Sequence, residues 1–170
     1  MKNILALFMI LTFSLPGFAQ GSAWRQATEK ELAKVIPDRA PVEKERIETE
    51  FRTATGITDG QGKFIAAVVI ITAGYAADGK YSHFFFNQVA IKTGDVKLPA
   101  GEYVFGTRRI DDDSLEVKFY EAATGKLVGA VKAIKETRRV AVRSFAILPP
   151  EKGKGMMQVG RFFFSYEMLS

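Results

Sequence analysis

The chain has 170 residues, 47% of them hydrophobic, with 24 basic and 19 acidic side chains and a formal charge of +5. That length predicts one ordinary domain with a real core, and mildly basic charge of mixed sign along the chain argues against a nucleic-acid partner. The absence of cysteine excludes thiol catalysis, cysteine-ligated zinc, iron–sulfur clusters, disulfides and a lipid anchor on cysteine.

Met1-Lys2-Asn3 lead into an apolar run from Ile4 to Leu15, and Gly17 and Ala19 put small residues at the −3 and −1 positions of a cleavage site. This pattern predicts a signal peptide over residues 1–19, cut after Ala19, and a secreted or periplasmic protein that starts at Gln20. The apolar run is short for a bilayer crossing. No integral membrane segment is expected in the mature chain.

Residues 20–60 read as a helical segment. Thr28-Glu29-Lys30-Glu31 is a capping box. Leu32, Val35 and Ile36 share one helical face, and Pro37 ends that helix. A second helix is predicted from Pro41 to Phe51, with Glu48 and Arg52 as an i, i+4 pair. Gly56, Asp59-Gly60 and Gly62 then break the chain.

Residues 61–170 read as an antiparallel β domain, one domain together with residues 20–60. Phe64–Thr72 and Tyr81–Ile91 are apolar on both faces, which predicts a strand pair covered on each side. Asp78-Gly79 between them predicts a two-residue hairpin turn that sets Val68 opposite Val89. Shorter strands follow: Val96–Leu98 after the turn Thr93-Gly94-Asp95, Glu102–Ile110, and Leu115–Phe119 after Asp111-Asp112-Asp113. Lys126–Lys135, Arg139–Leu148 and Met156–Met168 complete the set. The Ala123-Thr124-Gly125 connection joins weakly patterned strands and is expected to adjust to substitution. The fold class is therefore mainly β: a sandwich or barrel of about eight strands, with two short N-terminal helices packed on one face. Irregular strand lengths favour the sandwich. A signal peptide and eight meandering strands also suit lipocalins, but their Gly-x-Trp signature is missing, because Trp24 follows Gly21-Ser22-Ala23.

The catalytic inventory is thin. His83 is the only histidine. As a general base it would need a carboxylate to orient it, such as Glu102 or Glu116; otherwise it is a packed strand residue. No metal centre and no cofactor motif is read. Three consecutive aspartates suit a solvated turn better than calcium, whose ligands alternate along a loop. Arg108, Arg109, Arg139 and Arg143, with Lys132, Lys135 and Arg138, form a candidate anion patch if a meander brings their strands together. The alternative is a charged outer face that blocks edge pairing. Three function classes remain from sequence: a non-enzymatic module that binds a small molecule or a protein, a small-molecule enzyme built on His83, or a structural part of a surface assembly.

Overall fold

The computed structural model describes residues 24–72 and 80–169. The predicted signal peptide, its cleavage point and the Asp78-Gly79 turn lie outside them. Within them the chain is mainly β and antiparallel. The elements are β1 (Arg25–Gln26), α1 (Glu29–Leu32), β2 (Arg39–Val42), β3 (Glu45–Thr58), β4 (Phe64–Ile70), β5 (His83–Asn87) and β6 (Ile91–Thr93). There follow β7 (Val96–Leu98), β8 (Gly101–Asp111), β9 (Ser114–Glu121), β10 (Leu127–Lys135), β11 (Arg143–Ile147), β12 (Lys154–Gly160) and β13 (Phe162–Met168).

These strands form one continuous sheet, not the two of a sandwich. Its order is β1-β3-β4-β5-β8-β9-β10-β13-β12-β11, with β2 on β3 and the β6–β7 hairpin on β13. The sheet curls into a half-barrel, and the amide of Ile147 on β11 reaches the Thr55 hydroxyl on β3 at 3.4 Å. The preference for a sandwich fails because strand twist accumulates in one direction along the ladder and brings its ends together. The strands also outnumber the eight or so expected from sequence. Met156–Met168 is two strands joined at Gly160-Arg161, where Gly160 has φ 59°.

Two apolar layers hold the sheet. Phe85, Phe105, Phe119, Phe145 and Phe164 pack with Ile57, Ile65, Ile147, Met157 and Tyr166 inside the curl. Phe84, Phe86, Ala66, Val68 and Val104 point the other way, onto Ala27, Leu32, Ile36, Ala40 and Val42 of the N-terminal segment. The triple phenylalanine thus serves both layers, as strand alternation requires, and each buried ring contributes about 2 kcal/mol of hydrophobic stabilisation. This is the physical reason that β4 and β5 read as apolar on both faces.

The N-terminal segment covers the sheet as expected, but with little helix. The capping box forms: the Glu31 amide donates to the Thr28 hydroxyl at 3.3 Å, and the Thr28 amide donates to the Glu31 carboxylate at 2.8 Å. The α-helix then lasts one turn. The second predicted helix is absent. Pro41–Phe51 lies in the β2–β3 hairpin, with Val42 opposite Glu45 and Arg39 opposite Glu48. Its apolar stripe was narrow, whereas Ile47, Thr49, Phe51 and Thr53 alternate and β-branched residues fit a pleated surface. Arg52 accordingly sits by Glu50 at 3.6 Å, not by Glu48.

The register of β4 and β5 also differs. Val68 faces Phe84, not Val89. The order of the central sheet is set by the ladder from β5 to β8, His83 to Phe105 and Phe85 to Tyr103, and by Tyr81, which is fully buried and donates to the Glu43 carboxylate at 2.5 Å. Tertiary packing outweighs the local turn signal here. The turns at Thr93–Val96 and Asp111–Ser114 form as hairpins, and the Asp113 amide donates to the Asp111 carboxylate.

Candidate functional site

An all-antiparallel path through nine strands leaves its two end strands, β3 and β11, running in the same direction. They cannot complete an antiparallel ladder with each other. The consequence is a seam. Along it β3 carries a wide irregularity: Glu50 pairs with Val69 and Thr55 with Ala67, so four residues on one strand oppose one on the other. Thr53 stabilises this bulge, donating to the Glu50 carbonyl at 2.7 Å and accepting from the Val69 amide at 2.9 Å. Such a bulge bends the strand and interrupts its ladder, which resumes at Thr55.

The bulge opens a groove of about 750 Å³ over the seam. Its apolar lining is Ala27, Leu32, Phe51, Ala54, Phe145, Ala146 and Leu148. Its polar lining includes Gln26, Thr53, Thr55 and Ser144, with Glu29, Arg52 and Arg143 as the charged groups. The Arg52 side chain is 92% exposed, so its long contact with Glu50 holds it loosely. With Arg52 beside Glu50, the Arg143 guanidinium at the apolar lining favours an anionic group beside an apolar body. Two shallower grooves lie elsewhere on the sheet. One runs by Lys132, Ile134, Met156 and Phe163, and the other by Val35, Phe84, Phe86 and Glu102.

His83 lies inside the curl, not in any of these grooves. Its ring stacks on Phe105 at 4.6 Å with 3° between planes and lies 5.7 Å from Phe145. Nδ1 is 2.8 Å from the Ser82 hydroxyl, and Nε2 is buried with no hydrogen-bond partner. Burial lowers its pKa from the usual 6.5 to about 4, so it is neutral at physiological pH. Glu116 sits between Lys118 and Arg108, whose hydrogen bonds hold its carboxyl below the usual range. Glu102 lines the groove on the outer face by Phe84 and Phe86. Neither carboxylate orients the imidazole.

The candidate anion residues are dispersed. Arg108 pairs with Glu116 at 2.9 Å on the face of β8 and β9. Arg109 lies 3.7 Å from Asp112 and over the Phe162 ring at 5.5 Å. Lys135 and Arg138 pair with Asp113 and Glu136. Arg139 is exposed in the connection between β10 and β11. Of the four arginines proposed from sequence, Arg143 alone lines the seam. The bulge residues Phe51–Thr55 were not singled out from sequence, because a seam has no local signature; the nearest signal is the run of threonines at 49, 53, 55 and 58. Among the described residues no group of three or more histidine, aspartate or glutamate side chains is placed to hold a metal ion, and no helix is long and apolar enough to cross a membrane.

No protein-family model matches the chain, and neither a curated protein nor a solved structure matches it significantly.

Proposed function

We propose that the protein is a secreted or periplasmic, non-enzymatic binding module that takes its ligand or partner in the seam groove. The observation that carries this reading is an apolar lining bordered by two arginines at the seam between β3 and β11. The buried, neutral His83 without an orienting carboxylate supports a packing role for it over catalysis. The reading predicts that anilinonaphthalene sulfonate, an aromatic body with one anionic group, binds here with a rise in fluorescence. Ala146→Trp, which fills the groove, should abolish the rise, and Arg143→Glu should weaken binding by about tenfold, the size of one charge pair. Equal binding to all three proteins, or none to the wild type, counts against the groove.

Secretion has its own test. Amino-terminal sequencing of protein exported from a bacterial host should begin at Gln20, the residue after the Gly17-x-Ala19 pattern. A product that retains Met1 refutes it.

A further inference from the structure

One end of the half-barrel gathers positive charge that the fold does not use. The β8–β9 turn, the β10–β11 connection and the β12–β13 turn all lie there, because their strands alternate in direction along the ladder. Hydrogen bonds tie the three together. The Lys135 amide donates to the Asp113 carbonyl at 2.9 Å, and the Glu136 amide donates to the Arg161 carbonyl at 2.8 Å. Farther along the same connection, Gln158 Nε2 donates to the Ala141 carbonyl at 2.7 Å, and Arg143 pairs with Gly160. Residues 136–142 thus cross the end of the β12–β13 hairpin. Arg109 reaches from β8 to 5.5 Å from the centre of the Phe162 ring, which draws the β8–β9 turn to the same rim. The acids of this rim have their own cations. Asp112 lies by Arg109, Asp113 by Lys135 and Glu136 by Arg138, and Asp111 is in the field of Lys132. Arg139, Arg143 and Arg161 are exposed, and among the described residues none of them has an ion pair or a side-chain hydrogen bond. Next to them stands Val142, 68% exposed, the most exposed large apolar side chain among the described residues. Ile110, 51% exposed, stands beside the β8–β9 turn.

We infer that this rim seats the protein on an anionic phospholipid bilayer, with Arg139, Arg143 and Arg161 on lipid phosphates and Val142 and Ile110 set into the interface. The contact is separate from the seam groove and does not rest on it. The arginines supply the charge complementarity. Each guanidinium is a planar fork that takes a phosphate through two hydrogen bonds, and none has to leave an internal partner to do so. The aliphatic side chains favour a bilayer over an acidic protein. They stand singly on two different connections, with charge between them. A protein interface packs its apolar residues into one central patch ringed by polar groups. A bilayer interface takes in separate side chains from projecting turns, while arginines beside them hold to the headgroups. Each unpaired cation near such a surface strengthens binding by about fivefold.

The test is flotation of the purified protein with vesicles of mixed phosphatidylcholine and phosphatidylglycerol, against vesicles of phosphatidylcholine alone. The protein should float with the mixed vesicles, bind the zwitterionic ones far more weakly, and come off as salt is raised. Arg139→Glu combined with Arg161→Glu should weaken binding by about 25-fold or more, from two cations at about fivefold each. Val142→Asp should weaken it by about tenfold, the size of one buried valine. Arg143 also borders the seam groove and is left unchanged. The substituted positions are exposed, and urea midpoints equal to the wild type show that the variants fold. Val142→Trp reports insertion: its added emission should shift to the blue on mixed vesicles and stay unshifted on zwitterionic ones. No flotation of the wild type overturns the proposal. Flotation that survives both the arginine and the valine changes places the contact elsewhere and overturns it. Loss with the arginines alone, with emission at position 142 unshifted, leaves a bare cation patch and overturns the bilayer seat. Release by inorganic phosphate, at an ionic strength where chloride leaves the protein bound, assigns the arginines to a soluble phosphate and overturns it as well.

Discussion

His83→Phe should remove most of the acid sensitivity of this protein between pH 6.5 and about 4. In the folded chain, burial holds the imidazole pKa at about 4, against an ordinary 6.5 when the chain is unfolded. Between those values the unfolded state binds the proton and the folded state does not. Stability therefore falls as pH drops through that window and is unaffected by this group above it. At 1.36 kcal/mol per unit, the loss is about 3 kcal/mol. Phenylalanine keeps the stack on Phe105 and leaves no unpartnered Nε2. The Ser82 hydroxyl retains the Phe105 carbonyl at 3.3 Å. Near pH 7.5 the variant should equal the wild type or exceed it by about 1 kcal/mol, the cost of a buried polar atom without a partner. Below the ordinary carboxylate range both proteins should weaken together. Glu31, Glu136, Asp111, Glu116 and Glu167 are all held low there by hydrogen bonds and ion pairs. Urea denaturation across this range decides it. Parallel curves for the two proteins would mean that His83 takes up its proton as readily in the folded state as in the unfolded one. That result would revive the enzymatic reading.

Much of the architecture was legible because it follows from short-range rules. Alternation in Leu115–Phe119 gave β9, and apolar character on both faces of β4 and β5 gave a layer on each side. Thr28 and Glu31 gave the cap of α1. What was not legible depends on distant partners. Glu45–Phe51 carries enough charge and spacing to pass for a surface helix, and it becomes a strand because β2 pairs with Glu45–Glu48 and β4 with Thr49 and Glu50. The hairpin signal at Asp78-Gly79 did not set the register, because the ladder from β5 to β8 and the buried Tyr81 outweigh one turn. The seam was least legible of all. It arises from the parity of the strand path and from a bulge, and both are properties of the whole sheet. Arg143 was visible as a charge, but nothing in its neighbours distinguished it from Arg108, which an adjacent Glu116 neutralises.

Gly125→Ala should destabilise the protein by about 3 kcal/mol, although the connection it sits in looks adaptable in the sequence. Two costs meet at this turn between β9 and β10. Gly125 has φ 66°, a conformation that a residue with a Cβ adopts at a cost of about 1 kcal/mol. The added Cβ would also press on the Glu43 carboxylate and lie 2.7 Å from the Tyr81 hydroxyl. Those two groups share the hydrogen bond that ties the β2–β3 hairpin to the head of β5. Glu43 has little room to retreat. Its amide donates to the Ala122 carbonyl at 2.6 Å, and it holds φ 54° at the hairpin tip. Hydrogen bonds to a charged acceptor contribute about 2 kcal/mol. The two costs separate in a double-mutant cycle with Tyr81→Phe, which removes the hydroxyl and keeps the ring. In that background Gly125→Ala should cost only the backbone strain, with a coupling of about 2 kcal/mol between the sites. Additive losses would mean that the backbone alone sets the cost. A Gly125→Ala midpoint equal to the wild type would show that the tie between Glu43, Tyr81 and this turn does not hold the N-terminal cover in place.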